Sequence, residues 1–482
     1  MKRAIIILLV FWSANVSFAQ SIVFNKTYSG QTPGLRNIII QEDGYVGLGF
    51  DVNSSKIRIY IIKTDFYGDT LWTKTYGDSY YSYYHGTRNS LQKNYDECYT
   101  LAGSRNDDTK NACMLMKFDQ NFDTLWTKLY FDNPDFTVFY NHIQTSDGGF
   151  ALVGCTTEGD ADGDVLLVKT DSEGNMQWYK KHGTSGYDSG FCIIETTDNG
   201  FLVGGGTMHG SGDNYIIKTD EFGELQWSTH YGNPDCTDGG ITNIIKTQDL
   251  GYLFTASHTL YEEGDDGYLK YSRAGLKKID SDYNDEWYKL YGNITYQTSF
   301  GSVVETSEGD LALTLFEDYP SRSKLLFLNS QGDSLKKVGY EADGSFDEQW
   351  LSSLKQTDDK GFIMAGVAYG PQVMWLIKTD SCGCVTEDCE CWDNPVQQFN
   401  FQNEIQIYPN PSNSNFTIIS FLPNYINAEL RITDINGHLK EIVKVTEKTT
   451  VIPTKEWIPG TYICNLFVDG KLVKVEKLIL LP

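Results

Sequence analysis

Beyond its first 19 residues, the 482-residue sequence lacks any apolar run long enough to cross a bilayer, which excludes a span by helices. Positive charge is in the minority: 39 Lys and Arg stand against 64 Asp and Glu, leaving a formal charge of -25. That balance excludes nucleic acid and anionic membrane surfaces as partners, since phosphate contacts need the opposite sign. The 7 His have no metal spacing, and the sequence has no H-E-x-x-H, no G-x-S-x-G elbow and no phosphate-binding Gly loop. Local motifs therefore do not announce catalysis. Carboxylates are too abundant for one pair to be singled out as acid and base, so an enzyme assembled from scattered loop residues stays open beside the preferred non-catalytic reading.

What is there is a repeat. Its clearest copy runs from Asp147 to Gly183, with short runs at Phe150–Gly154, Asp164–Thr170 and Met176–His182, rich in β-branched and aromatic residues and bounded by Gly, Asp and Asn. Such runs predict strands, and the Asp-Gly-Gly and Ser-Glu-Gly-Asn joints predict tight hairpins. With Asn141–Thr145 upstream, each unit supplies four antiparallel strands, a to d. The residue opening strand b recurs as Tyr45, Tyr99, Phe150, Phe201, Tyr252, Leu311 and Phe362; the residue closing strand c recurs as Asp65, Asp119, Asp171, Asp220, Asp280, Asn329 and Asp380. Four strands per period of about 50 residues predict an all-β, seven-bladed, kelch-like β-propeller over residues 20–380.

The start of the chain fits that ring. Lys2 and Arg3, the apolar Ala4–Trp12, and Ser17 and Ala19 at small-residue positions read as a signal peptide over residues 1–19, so that Gln20 begins the mature protein after export to the periplasm. Ile22–Gly30 then matches a strand d, the one strand missing after Asp380. The sequence therefore predicts that the N-terminal strand closes the last blade and leaves no open sheet edge.

A four-stranded meander puts the a–b and c–d turns on one face and the b–c and d–a connections on the other. The second face carries the longer segments, and variation over a rigid scaffold is where binding residues sit. Tyr80, Tyr81, Tyr83, Tyr84 and His85 form an aromatic cluster there, suited to stacking on a glycan or anchoring a protein. The competing reading is that these rings simply pack over the blade. Asp160, Asp162 and Asp164 resemble the opening of a calcium loop, the one cofactor the sequence suggests. Against it, Val165 stands where a Gly belongs, and Asp213 and Asp266 recur at the same place, as solvated turns would. Clustered His and acidic groups in the central channel would favour a polysaccharide or peptide hydrolase or lyase, and a uniformly acidic face a structural surface protein.

Residues 381–404 form a Cys-rich segment and linker. Cys382, Cys384, Cys389 and Cys391 lie too close for the usual zinc spacing, and in an exported chain they read as disulfides of undetermined pairing. From 405 to 482 the pattern changes to a small β-sandwich. Here Tyr408-Pro409-Asn410-Pro411, Asp434 to Gly437, Pro459-Gly460-Thr461-Tyr462 and the basic Lys471–Lys477 resemble the type A C-terminal sorting domain of type IX secretion substrates in Bacteroidetes. Within that motif Pro409, Asn410, Pro411, Asp434, Gly437, Gly460 and Tyr462 are the matching positions. The resemblance implies recognition by an outer-membrane translocon and delivery to the cell surface or medium.

Overall fold

The computed structural model describes residues 22–28, 34–386 and 405–481, apart from residues 53–55, 108, 134, 160–162, 208–212, 232–238, 265–266, 293–296, 319–320, 343–347, 370–371, 421–427, 436–437, 446–448, 456 and 469–470. Every regular element among the described residues is a strand, and none is a helix long and apolar enough to cross a membrane. The chain divides into two units, residues 1–393 and 394–482.

Among the described residues of the first unit the apolar runs become seven antiparallel sheets; six pair their strands in chain order, the second with its first strand split into Ser82–His85 and Leu91–Lys93, and the seventh takes its fourth strand from the N-terminus. The third is typical: Thr137–Gln144, Phe150–Thr156, Asp164–Thr170 and Met176–His182. Its middle strands are buried on both faces, while the fourth alternates between exposed and half-buried residues. Each sheet therefore has to cover its faces with its neighbours. One cluster joins Ala102, Cys113 and Leu115 of the second sheet to Phe139, Phe150 and Leu152 of the third.

The recurring Asp at the end of strand c has one physical cause. Asp171 Oδ1 accepts the backbone amides of Glu173 at 3.0 Å and Asn175 at 2.8 Å, which folds the chain into a turn whose fourth residue, Gly174, has positive φ. The same pair of bonds recurs at Asp65, Asp119, Asp220, Asp280, Asn329 and Asp380. The residue closing strand d then reaches into the turn of the following sheet. Tyr130 donates to Gly174 O at 2.6 Å, Tyr291 to Gly332 O and Tyr340 to Gly383 O, each at 2.7 Å. His182, which replaces the Tyr, lies 3.0 Å from Gly223 O. Tyr231 differs in having Lys277 over its ring at 4.9 Å.

A second device sits at the other pair of strands. Lys169, near the end of strand c and 6 % exposed, donates to Asp147 of the a–b turn at 2.8 Å. Lys218 with Asp198 and Lys378 with Asp359 repeat it. The hydrogen bond spares the buried ammonium from lying unpaired.

The N-terminal strand Phe24–Tyr28 pairs antiparallel with Val373–Thr379, supplying the fourth strand of the seventh sheet. Asn25 Oδ1 accepts the indole N–H of the fully buried Trp375 at 2.7 Å, and Phe24, Met374 and Leu376 pack with Leu35, Ile38 and Tyr45 of the first sheet.

The second unit has two antiparallel sheets, Ile405–Tyr408, Asn415–Ser420 and Thr449–Pro453 in one, and Ala428–Asp434, Leu439–Lys444, Gly460–Val468 and Lys471–Leu480 in the other. Phe416, Ile418 and Ile452 of the first meet Leu430, Ile432, Leu466 and Leu478 of the second in one core, the arrangement expected of a sandwich.

Candidate functional site

The aromatic cluster lies where the fourth strand of the first sheet passes to the second sheet, and it is partly strand: Ser82–His85 pairs with Tyr99–Asn106. A loop was expected throughout. The pairing begins because Asp78 first folds the chain back, its Oδ1 accepting the amides of Tyr80 and Tyr81, each at 2.8 Å. Its Oδ2 accepts the Tyr83 hydroxyl at 2.9 Å. Burial by itself would raise the Asp78 pKa, but these donors and nearby Arg105 lower it, so the carboxylate stays charged. Burial, followed by the adjacent Asp78, pushes the Tyr83 phenol up to about 12, so it remains a donor at neutral pH.

The register that sets Tyr83 opposite Arg105 also carries the guanidinium over the Tyr81 ring, 4.1 Å from its centroid. Arg105 also faces Asp132 at 3.6 Å. A groove of about 530 Å³ opens here, lined by Thr75, Gly77, Asp78, Tyr83, Arg105 and Leu129 among others. Tyr80, whose amide bonds to the groove residue Asp78, is 76 % exposed. Of the five expected residues Tyr83 lines the groove, and Tyr81 packs against Arg105, which also lines it. Tyr84 and His85 turn instead toward Phe50, the His85 ring stacked on it with centroids 3.8 Å apart and Tyr84 edge-on at 6.2 Å. Burial holds the His85 pKa down to about 4. Asp78 and Arg105 were not singled out from the sequence. Asp78 carried a readable signal, since an Asp two residues before an aromatic run is a turn former, whereas Arg105 arrives only through the cross-strand register.

Of the calcium candidates, Asp160 and Asp162 lie outside the described residues. Asp164 opens its strand opposite Thr156, and Asp213 opens the corresponding strand opposite Thr207. Among the described residues no group of three or more His, Cys, Asp or Glu could hold a metal ion. Cys382 and Cys384 occupy the c–d turn after Asp380, whereas Cys98, Cys113, Cys155 and Cys192 are free thiols. Cys389 and Cys391 lie outside the described residues.

In the second unit the tetrapeptide at Tyr408 works as an edge clamp. Asn410 Nδ2 donates to Lys477 O at 2.7 Å and its Oδ1 accepts the Ile479 amide at 3.0 Å, so one side chain pairs with the last strand as a backbone would. Pro409 and Pro411 flank it, each after a cis peptide bond. Asp434 Oδ1 accepts the His438 amide at 3.0 Å across the next turn; Gly437 lies outside the described residues. Gly460 opens the strand that places buried Tyr462, whose hydroxyl donates to Ile458 O at 2.6 Å and whose ring lies 4.6 Å from Trp457.

Residues 406–481 match the family of secretion system C-terminal sorting domains, so this chain carries a type IX secretion sorting domain. The domain indicates export to the medium or the cell surface and implies contact with the type IX machinery. No curated protein matches the chain. Among solved structures it is similar to the polysaccharide lyase Uly1 (11% identity, TM-score 0.45, covering 77% of this chain and 94% of that one). It is also similar to puromycin hydrolase (10%, 0.48, 81% and 59%) and to a protein of unknown function from Dyadobacter fermentans (11%, 0.41, 63% and 96%).

Proposed function

We propose that residues 1–19 export the chain, that residues 20–380 form a seven-bladed β-propeller closed by Phe24–Tyr28, and that this propeller is a non-catalytic binding module displayed at the cell surface or released. Residues 381–404 are its disulfide-stapled exit, and residues 405–482 its address. Support for the ring comes from the segment Gly86–Asn89 of the second sheet. Thr87 donates to Tyr140 O and Phe191 O, and Arg88 to Thr242 Oγ1 and Phe300 O. One short segment thereby meets inner strands of four further sheets, as it can when all of them surround a common axis.

The observation that carries the binding reading is the stack of Arg105 on Tyr81 beside exposed Tyr80 and the Asp78–Tyr83 hydrogen bond. An aromatic face with charged donors and acceptors at its edge suits a sugar ring, which offers apolar C–H faces and equatorial hydroxyls together. A glycan is therefore the preferred ligand. The test is a glycan and polysaccharide array with the full chain, with and without Ca²⁺, scored for retention and for release of reducing ends. Retention without release, lost in Tyr80→Ala/Tyr81→Ala, is the expected result. Release of reducing ends would make the protein an enzyme, and a blank array would redirect the groove to a protein partner.

A further inference from the structure

A second cavity, of about 640 Å³, has walls from all seven sheets. About half its lining is aliphatic, with Ile39, Ile143, Ile194, Ile245 and Val304 at one matching register position in five of the sheets and Gln92 at that position in the second. Lys355 occupies that place in the seventh. Elsewhere in this unit the buried lysines meet acids, as Lys169, Lys218 and Lys378 do. Lys355 is half-buried and has no hydrogen bond or ion pair among the described residues, and its partial withdrawal from water lowers its pKa. The other charged lining residues are Lys93, Lys246 and Glu305, and Glu305 is already engaged with the Gln248 amide at 2.7 Å. Arg36 lies in the first strand of the first sheet, and Arg88 in the segment between Ser82–His85 and Leu91–Lys93 of the second. Arg88 is depressed to about 10 by burial and then by Arg36, with no carboxylate contributing.

We propose that this cavity binds a small amphiphilic carboxylate, its head paired with Lys355 and its hydrocarbon body laid against the Ile and Val wall. An ammonium that faces the cavity without a counter-charge offers an entering carboxylate a charge-assisted hydrogen bond. The aliphatic wall rewards a body that leaves water. The volume falls within the range of about 300–1,000 Å³ usual for small-molecule sites. The site is separate from the tyrosine groove and does not depend on it.

Calorimetric titration of the full chain with octanoate, with octanol and octylamine as controls, tests the assignment. One saturable octanoate site is expected, with Lys355→Met weakening it about 10- to 100-fold, the loss of one charge-assisted hydrogen bond. The two controls should bind far more weakly, and Tyr80→Ala should leave octanoate binding unchanged. Ile245→Trp, which fills the cavity from a different sheet, should abolish binding and serves if Lys355→Met does not fold. Absence of saturable octanoate binding, or wild-type affinity in Lys355→Met or Ile245→Trp, would overturn the proposal.

Discussion

The Tyr28 hydroxyl donates to the Gly68 carbonyl at 2.5 Å, 40 residues along the chain, and Lys26 beside it meets Asp69 at 2.5 Å. This is the bond that Tyr130 makes to Gly174, one sheet to the next, now made from the N-terminal strand to the first c–d turn. Tyr28→Phe should therefore lower stability by about 1 kcal/mol, the net worth of one hydrogen bond. Deleting residues 22–28 should cost far more, since it also exposes Trp375 and a sheet edge. Urea denaturation of the two variants checks this, and an unchanged midpoint for the deletion would refute closure by this strand.

Gly223 tests the junction between the third and fourth sheets. Its φ is +76°, and a Cβ there would lie 2.5 Å from the Trp178 ring. Gly223→Ala must strain the backbone and displace the indole together, so a loss of about 1–3 kcal/mol is expected. Gly148, also at positive φ but with nothing within 4 Å, should lose only the backbone part. Equal losses for the two alanine variants would remove the packing argument.

Acid should destabilise the protein in two overlapping windows. The Thr100 hydroxyl donates to Asn94 Oδ1 at 2.9 Å, so it accepts from His142 Nε2–H at 2.7 Å and leaves Nδ1 buried without an acceptor. Burial lowers the His142 pKa from 6.5 to about 3. Between those values the unfolded chain takes up a proton that the folded chain refuses, so stability falls as pH drops from 6.5 toward 3.

Asp147 and Asp249 act lower on the scale. Burial would raise both, but hydrogen bonds from Lys169 and Thr145 to Asp147, and from Thr247 and Lys278 to Asp249, bring each to about 2. Their contribution is complete above 3.8 and is lost as pH falls to 2. Denaturation midpoints followed from pH 7 to 2 should show both slopes. His142→Gln should reduce the upper slope, to which the buried His85 also contributes, and Asp147→Asn the lower.

In the tyrosine groove, Arg105→Ala should weaken a bound glycan by about 1–2 kcal/mol, because the guanidinium both orients Tyr81 and borders the groove. Tyr84→Phe, whose ring faces Phe50, should leave binding unchanged. Array titration of both variants separates a true surface from general loosening of the strand, which would affect the two alike.

What the sequence revealed follows from how local each device is. The Asp65-type turn is closed by a side-chain oxygen bonding amides two and four residues ahead, so Asp, or Asn at 329, is demanded in every sheet and the repeat is visible. Phe24–Tyr28 was readable as a displaced fourth strand because its apolar pattern copies Leu71–Tyr76. Arg105 and Lys355 were not readable. Arg105 matters through a cross-strand register with Tyr83, and Lys355 through residues on six other sheets. Neither relation leaves a mark in the spacing of neighbouring residues, and the short strand at Ser82 arises only once Asp78 has folded the chain back.

The pairing of Phe24–Tyr28 with Val373–Thr379 also bears on biosynthesis. Trp375 bonds to Asn25 across 350 positions, so the first strand to emerge has no partner until almost the whole of the first unit has been made. A chain broken off earlier would expose that strand and its would-be neighbour to proteases. The sorting domain lies further downstream still, so a chain that has reached its own address label has already made both halves of its clasp. Completeness and deliverability thereby become a single property, checked by the order of synthesis alone.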